Sequence, residues 1–153
     1  MTTRKIYLAG NISSDPETYK WREEATKLLK DKYTILNPAA NKFNKTLIKD
    51  HKGDAGGFLE EAIGKSQAIL ITKDFALVNS ADIILVNLQI VTPEKPLIGT
   101  LFELSWAWLL RKPIIAIMGN NIYSKHPFVT CAISAKVNSV EEAAEVIKEF
   151  FQE

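Results

Sequence analysis

Residues 83–118 read IILVNLQIVTPEKPLIGTLFELSWAWLLRKPIIAIM, and this stretch decides the fold. Ile83 to Leu88 (IILVNL) is too short for a helix and too continuously apolar for a strand with one wet face, so it reads as the central strand of a parallel sheet. Pro113 to Met118 (PIIAIM) is a second such run, closed by Gly119-Asn120-Asn121. The helical block TLFELSWAWLLRK lies between them, which makes a strand–helix–strand crossover.

Upstream, Lys5 to Ala9 (KIYLA) is a short strand ending at Gly10-Asn11, and Asp15-Pro16 reads as an N-cap with proline in the first helical position. In the helix that follows, Trp21, Ala25, Leu28 and Leu29 form an apolar stripe, with Arg22, Glu23, Glu24 and Lys27 expected outside it. Tyr33 to Leu36 is the next strand, stopped by Asn37-Pro38. Residues 39–64 lack an apolar period and read as a long loop, either a lid or substrate wall or an idle insertion. Ala68 to Ser80 then leads into the central strand.

Downstream, Ala135 to Asn138 is a candidate fifth strand. Ser139-Val140-Glu141-Glu142 is a capping box opening a last helix whose stripe takes in Ala143, Val146, Ile147 and Phe150. The alternation predicts one α/β domain over residues 1–153, with a doubly wound parallel sheet of the flavodoxin-like, Rossmann-like class. Ligands of such sheets sit beyond the carboxyl ends of the strands, which nominates Gly10-Asn11, residues 87–99 and Gly119 to Asn121.

The 153 residues are 46% apolar and 24% charged, enough to build a core without a metal or disulfide. Net charge is +1, so the electrostatic footprint of a nucleic-acid binder is missing. The lone cysteine, Cys131, points to a reducing compartment, and no run approaches the roughly 18 apolar residues of a membrane span. A cytoplasmic protein without membrane association is expected. His51 and His126 have no ligand-spaced partners, so no metal is assigned. GxGxxG, GxxxxGK[ST] and GxSxG are all absent, which removes the usual dinucleotide, triphosphate and serine-hydrolase signatures, and no cofactor is expected.

Glu103 is the most informative residue, because the surrounding GTLFELSWA carries no other charge. A carboxylate in so apolar a helix has a raised pKa and reads as a nucleophile or general base, or else as a buried acid satisfied by amides or a distant lysine. Gly99-Thr100 opens this helix and offers amides to sugar or phosphate oxygens, or is simply a helix start after a proline-rich turn. Asp74 either caps the helix leading into the central strand or points into the pocket to bond a base. Asp82, at the amino end of that strand, reads as structural.

Four segments taken together, KIYLAG, TKDFALVNSADIILVNL, GTLFELSWAWLLRKPIIAI and the GNN turn, resemble the nucleoside 2-deoxyribosyltransferase family. The resemblance implies a five-stranded parallel sheet and cleavage of the N-glycosidic bond of 2-deoxynucleosides through a covalent deoxyribosyl-carboxylate, with a free nucleobase as acceptor. Gly99-Thr100-Leu101-Phe102-Glu103 matches the family's G-[ST]-x-x-E segment, which passes the nucleophile's role to Glu103. By the same resemblance Tyr7 orients the nucleophile and Asp74 contacts the leaving base and helps protonate it. Asn120 matches an asparagine that reaches a neighbouring subunit's sugar, implying a homo-oligomer with shared sites.

One departure is that Lys95-Pro96-Leu97-Ile98 stand where many transferases carry a base-contacting aspartate. The loop QIVTPEKPLIG also looks like the related deoxynucleoside 5-monophosphate N-glycosidases, which use water as acceptor. For that activity Ser13-Ser14 and the Gly99-Thr100 amides are the candidate phosphate contacts, although no arginine lies in the crevice segments. A non-catalytic nucleotide sensor of the same fold is a third reading, and the carboxylate kept in an apolar helix argues against it. A phosphoribohydrolase of the cytokinin-activating type ranks last, because the glycine-rich PGG before its GTxxE segment is missing.

Overall fold

The computed structural model describes residues 2–13, 15–40 and 68–152. The long loop expected over 39–64 therefore falls mostly outside the described residues, as does Ser14. Five strands form one sheet: β1 (Lys5–Gly10), β2 (Thr34–Leu36), β3 (Ile83–Asn87), β4 (Ile114–Ile117) and β5 (Ala135–Val137). All neighbours are parallel, in the order β2-β1-β3-β4-β5, the flavodoxin-like order. The strand order reverses between β1 and β3, where Tyr7 pairs with Ile84 and Gly10 with Asn87.

The longer helices are α1 (Glu17–Leu29), α2 (Ala68–Ser80), α3 (Ile98–Leu109) and α6 (Val140–Phe150); two single-turn helices, α4 (Ile122–Lys125) and α5 (Pro127–Thr130), were not anticipated from the sequence. Alternation along the strands explains the two layers. Ile6, Leu8, Ile83, Leu85, Ile115 and Ile117 face α1 and α6. Tyr7, Ala9, Ile84, Val86, Ile114 and Ala116 face α2 and α3. Both faces of β3 are therefore dry, as its unbroken apolar run requires. Among the described residues no helix is long and apolar enough to cross a membrane.

Local chemistry sets the ends of these elements. Asp15 Oδ1 accepts from the Glu17 amide at 3.0 Å, so the expected acidic cap works one residue outside the helix. Ser139 Oγ accepts from the Glu142 amide at 3.1 Å, while Glu142 reaches back to the Asn138 amide at 2.8 Å, a capping box displaced by one residue. Asp82 Oδ2 accepts the Lys5 amide at 2.7 Å and ties β1 to β3 at the end of the sheet away from the crevice.

Two expectations about helix faces fail. Arg22, placed on the outer face of α1, is fully buried. Phe150, placed in the buried stripe of α6, is 70% exposed, whereas Ile147 is fully buried and Phe151, just past the helix, packs against the core layer instead. Ile147→Ala is expected to cost about 3 kcal/mol in urea unfolding, and Phe150→Ala less than about 1 kcal/mol. Equal losses would show that α6 packs on a different face.

Candidate active site

The strand reversal opens a crevice at the carboxyl ends of β1 and β3, and Gly10 sets its floor. Gly10 has φ of +149°, and a Cβ there would lie 3.1 Å from Asn87 O and 3.3 Å from the Trp21 ring. Any other residue would strain the backbone and push β1 away from β3. Beyond it, Asn11 Nδ2 donates to Thr92 Oγ1 at 3.4 Å, joining the segment after β1 to the loop after β3.

Helix α3 lies across the sheet face that Tyr7 occupies. Glu103 projects inward from it and is only 8% exposed. Burial pushes its pKa up to about 8; the Tyr7 phenol draws it down, Asp74 raises it and the Arg22 guanidinium lowers it. The phenol approaches the carboxylate without completing a hydrogen bond, so Tyr7 Oη and Glu103 Oε2 are both buried without a partner among the described residues. Such groups are costly unless something else binds them. Burial and the Glu103 charge hold the Tyr7 phenol far above its ordinary range, so it stays a proton donor.

Asp74 lies in the interior of α2, which removes the alternative that it caps that helix. It is half-buried, and burial raises its pKa against the lowering effect of Lys73. Both Glu103 and Tyr7 feel its charge. The structure thus brings Tyr7, Asp74 and Glu103 into one electrostatic cluster from three separate elements. Trp106 meets Phe75 of α2 edge-on at 5.4 Å and Phe102 at 5.9 Å, an aromatic cluster that joins α2 to α3.

The other nominated residues divide. Helix α3 starts at Ile98, one residue before Gly99, and no side chain caps it. Gly99 is open, with nothing near its missing Cβ, while Thr100 is buried. Asn120 is exposed in the turn after β4, at the carboxyl end of the sheet. Its neighbour Asn121 caps α4 and donates to Leu88 O at 2.7 Å, so that turn is anchored as well as tight. Among the described residues no group of His, Cys, Asp and Glu is placed to hold a metal.

Two residues near the crevice escaped the sequence reading. Tyr123 accepts the Leu97 amide at 2.8 Å and fixes the segment leading into α3. Arg22 donates through Nη2 to Gly10 O at 3.0 Å and through Nη1 to Asn11 O at 2.9 Å and to Thr18 O. A signal for Arg22 existed, since it stands at helical spacing with Thr18, Ala25 and Leu29, all on the inner face apart from its charge.

The fold has solved counterparts. A 2-deoxyribosyltransferase from Bacillus psychrosaccharolyticus superposes with a TM-score of 0.61 at 18% identity, covering 92% of this chain and 90% of that one. A 2-deoxyribosyltransferase from Leishmania mexicana gives 0.60 at 16% identity, with 97% and 99% covered. A CMP N-glycosidase from Clostridium botulinum gives 0.57 at 16% identity, with 96% and 100% covered. No curated protein matches the sequence. The sequence profile described as nucleoside 2-deoxyribosyltransferase matches residues 6–143, a span that runs from β1 into α6 and includes Tyr7, Asp74, Glu103 and Asn120. With nine-tenths of its length matched in this way, the chain belongs to the nucleoside 2-deoxyribosyltransferase family.

Proposed function

We propose that the chain, as a single domain over residues 1–153, is a nucleoside 2-deoxyribosyltransferase that uses Glu103 as a covalent nucleophile. The observation that carries this reading is the buried Glu103 carboxylate with Oε2 unpartnered, facing the Tyr7 phenol and electrostatically coupled to Asp74. In the first step a Glu103 oxygen attacks C1 of the deoxyribose, the C1–N bond breaks, and its electron pair leaves with the base, which takes a proton from the Asp74 carboxyl. In the second step a nitrogen of the acceptor base attacks C1, the ester bond breaks to regenerate the Glu103 carboxylate, and the acceptor's proton returns to Asp74. Two displacements give net retention.

Tyr7 steers the carboxylate through its phenolic proton. Gly10, Asn11, Gly99 and Thr100 border the sugar, and the wall of Phe102, Trp106 and Phe75 limits water at the ester. Asn120 is assigned to a neighbouring subunit's sugar in a homo-oligomer. In support of assembly, Trp108, Ile122 and the 86% exposed Phe128 rim an apolar groove of about 820 Å³ next to the Asn120 turn. Hydrolysis of a 2-deoxynucleoside 5-monophosphate is the alternative. The geometry disfavours it, because the arginine at the carboxyl end of β1, Arg22, is spent on main-chain carbonyls.

Incubation of the protein with a deoxynucleoside and a free acceptor base should yield the exchanged nucleoside by chromatography. Free deoxyribose alone, or reaction only with a monophosphate, would replace transfer with hydrolysis. Glu103→Ala should lose roughly a thousandfold or more in turnover, and retention of a tenth of the activity would remove Glu103 as nucleophile.

The active free enzyme holds one proton between the two carboxyls, on Asp74 with Glu103 anionic, so kcat/KM should be bell-shaped, with its alkaline limb at about pH 8, where that last proton is lost. Asp74→Asn should cut turnover about a hundredfold and turn that alkaline fall into a rise, since an amide has no proton to donate and only the Glu103 anion is left to titrate. Substrates with better leaving bases should recover part of the loss; an unshifted profile would take Asp74 out of the site.

Mixing inactive Glu103→Ala with inactive Asn120→Ala subunits should restore some activity, because one hybrid site carries both native residues. A monomer by light scattering, or no recovery after demonstrated subunit exchange, would refute shared sites.

A further inference from the structure

Arg22 is the only cation among the buried residues described, and its side chain is completely shielded from solvent. It rises from α1, on the opposite face of the sheet from α3, and its guanidinium curls around the carboxyl end of β1. There it donates to Gly10 O and Asn11 O while also bonding back to Thr18 O in its own helix. Its plane lies over the Trp21 ring at 4.8 Å, and Nε has no partner. Among the described residues no carboxylate pairs with it at salt-bridge distance.

An unpaired buried charge is among the most expensive groups a fold can hold. Main-chain carbonyls soften that cost but do not cancel the charge, and a tether for a turn needs only a neutral donor. The guanidinium sits at the end of β1, the strand that carries Tyr7, whose phenol faces Glu103, and its positive charge favours the ionised form of both.

We propose that Arg22 is a positioning residue of the crevice, which clamps the Gly10-Asn11 turn and lends its positive charge across the end of β1 to the Glu103 carboxylate. The groups acting on Glu103 come from three elements: the Tyr7 phenol on β1 and Arg22 on α1 favour the anion, and Asp74 on α2 opposes it. β4, also packed on α3, carries only Ile and Ala. Desolvation outweighs the two helpers, so the acid still titrates high. Removing Arg22 would leave the phenol as the single group favouring ionisation. The price for Arg22 itself is visible, since burial brings its own pKa down to about 10.

The inference rests on the reading of Glu103 as nucleophile, and its test is a direct titration that does not require turnover. Protein labelled with 13C at the glutamate carboxyl carbons is titrated by NMR, the Glu103 resonance being the one missing from Glu103→Gln. In Arg22→Met that resonance should titrate at higher pH, leaving about tenfold less carboxylate at a given pH below the midpoint. Arg22→Lys, which keeps a positive charge, should bring the midpoint back toward the native one.

Should Arg22→Met fail to fold, Arg22→Gln removes the charge while keeping an amide donor for the turn, and the same shift is expected. A native midpoint in the neutral variants, no return with lysine, or failure of Arg22→Gln to fold would each reduce Arg22 to a structural brace and overturn the proposal. Loss of the glycosidic reading would show separately, as activity surviving in Glu103→Ala.

Discussion

A carboxylate shut between a helix and the face of a sheet must be kept ionisable by its neighbours, because desolvation alone would leave it a neutral acid. The crevice is arranged around that constraint on Glu103. Its helix must be apolar enough to pack on β1, β3 and β4, yet one position in it carries an acid. The phenol of Tyr7 is delivered by the same alternation that sends Ile6 and Leu8 to the other layer. A one-residue slip of β1 would remove the phenol from the site and turn a core isoleucine or leucine toward the acid. The placing of the phenol beside the buried acid and the packing of the core are therefore set by one register.

The parts of the fold that rest on strong local rules were legible in the sequence. Ile83 to Asn87 is central because it has no polar face to offer, and five parallel strands follow from alternation with helices. Glu103 was legible for the opposite reason, as a polar residue in a setting that rejects it. Arg22 was not, because a charged side chain on an amphipathic helix is ordinarily solvated, and its partners are main-chain carbonyls that leave no trace in side-chain chemistry. Phe150 misled for the converse reason: periodicity shows which side of α6 faces inward but not which side chain makes the last core contact, which is Phe151. Asp74 remained open because its place depends on how far α2 extends ahead of it.

Helix α3 carries apolar residues on more sides than the sheet can cover, and the structure resolves where they go. Leu104 and Ala107 are buried against the sheet, Trp106 and Phe102 join Phe75, and Trp108 turns toward α4 and α5. The two single-turn helices lengthen the wall on that side and carry Tyr123, whose hydroxyl holds the Leu97 amide. The entry to α3 is thereby braced from outside the sheet, on the segment where the sequence departs from the aspartate-bearing pattern of many transferases.

The close approach at Gly10 divides the crevice into a part that can vary and a part that cannot. With Asn87 O 3.1 Å from where a Cβ would stand, the spacing of β1 and β3 leaves no room for a side chain at that point. The floor is bare backbone, and no substitution reshapes it without moving the strands. Room for different side chains lies instead in the loops that follow β3 and β4, where Thr92 and Asn120 stand outside the strand pairing.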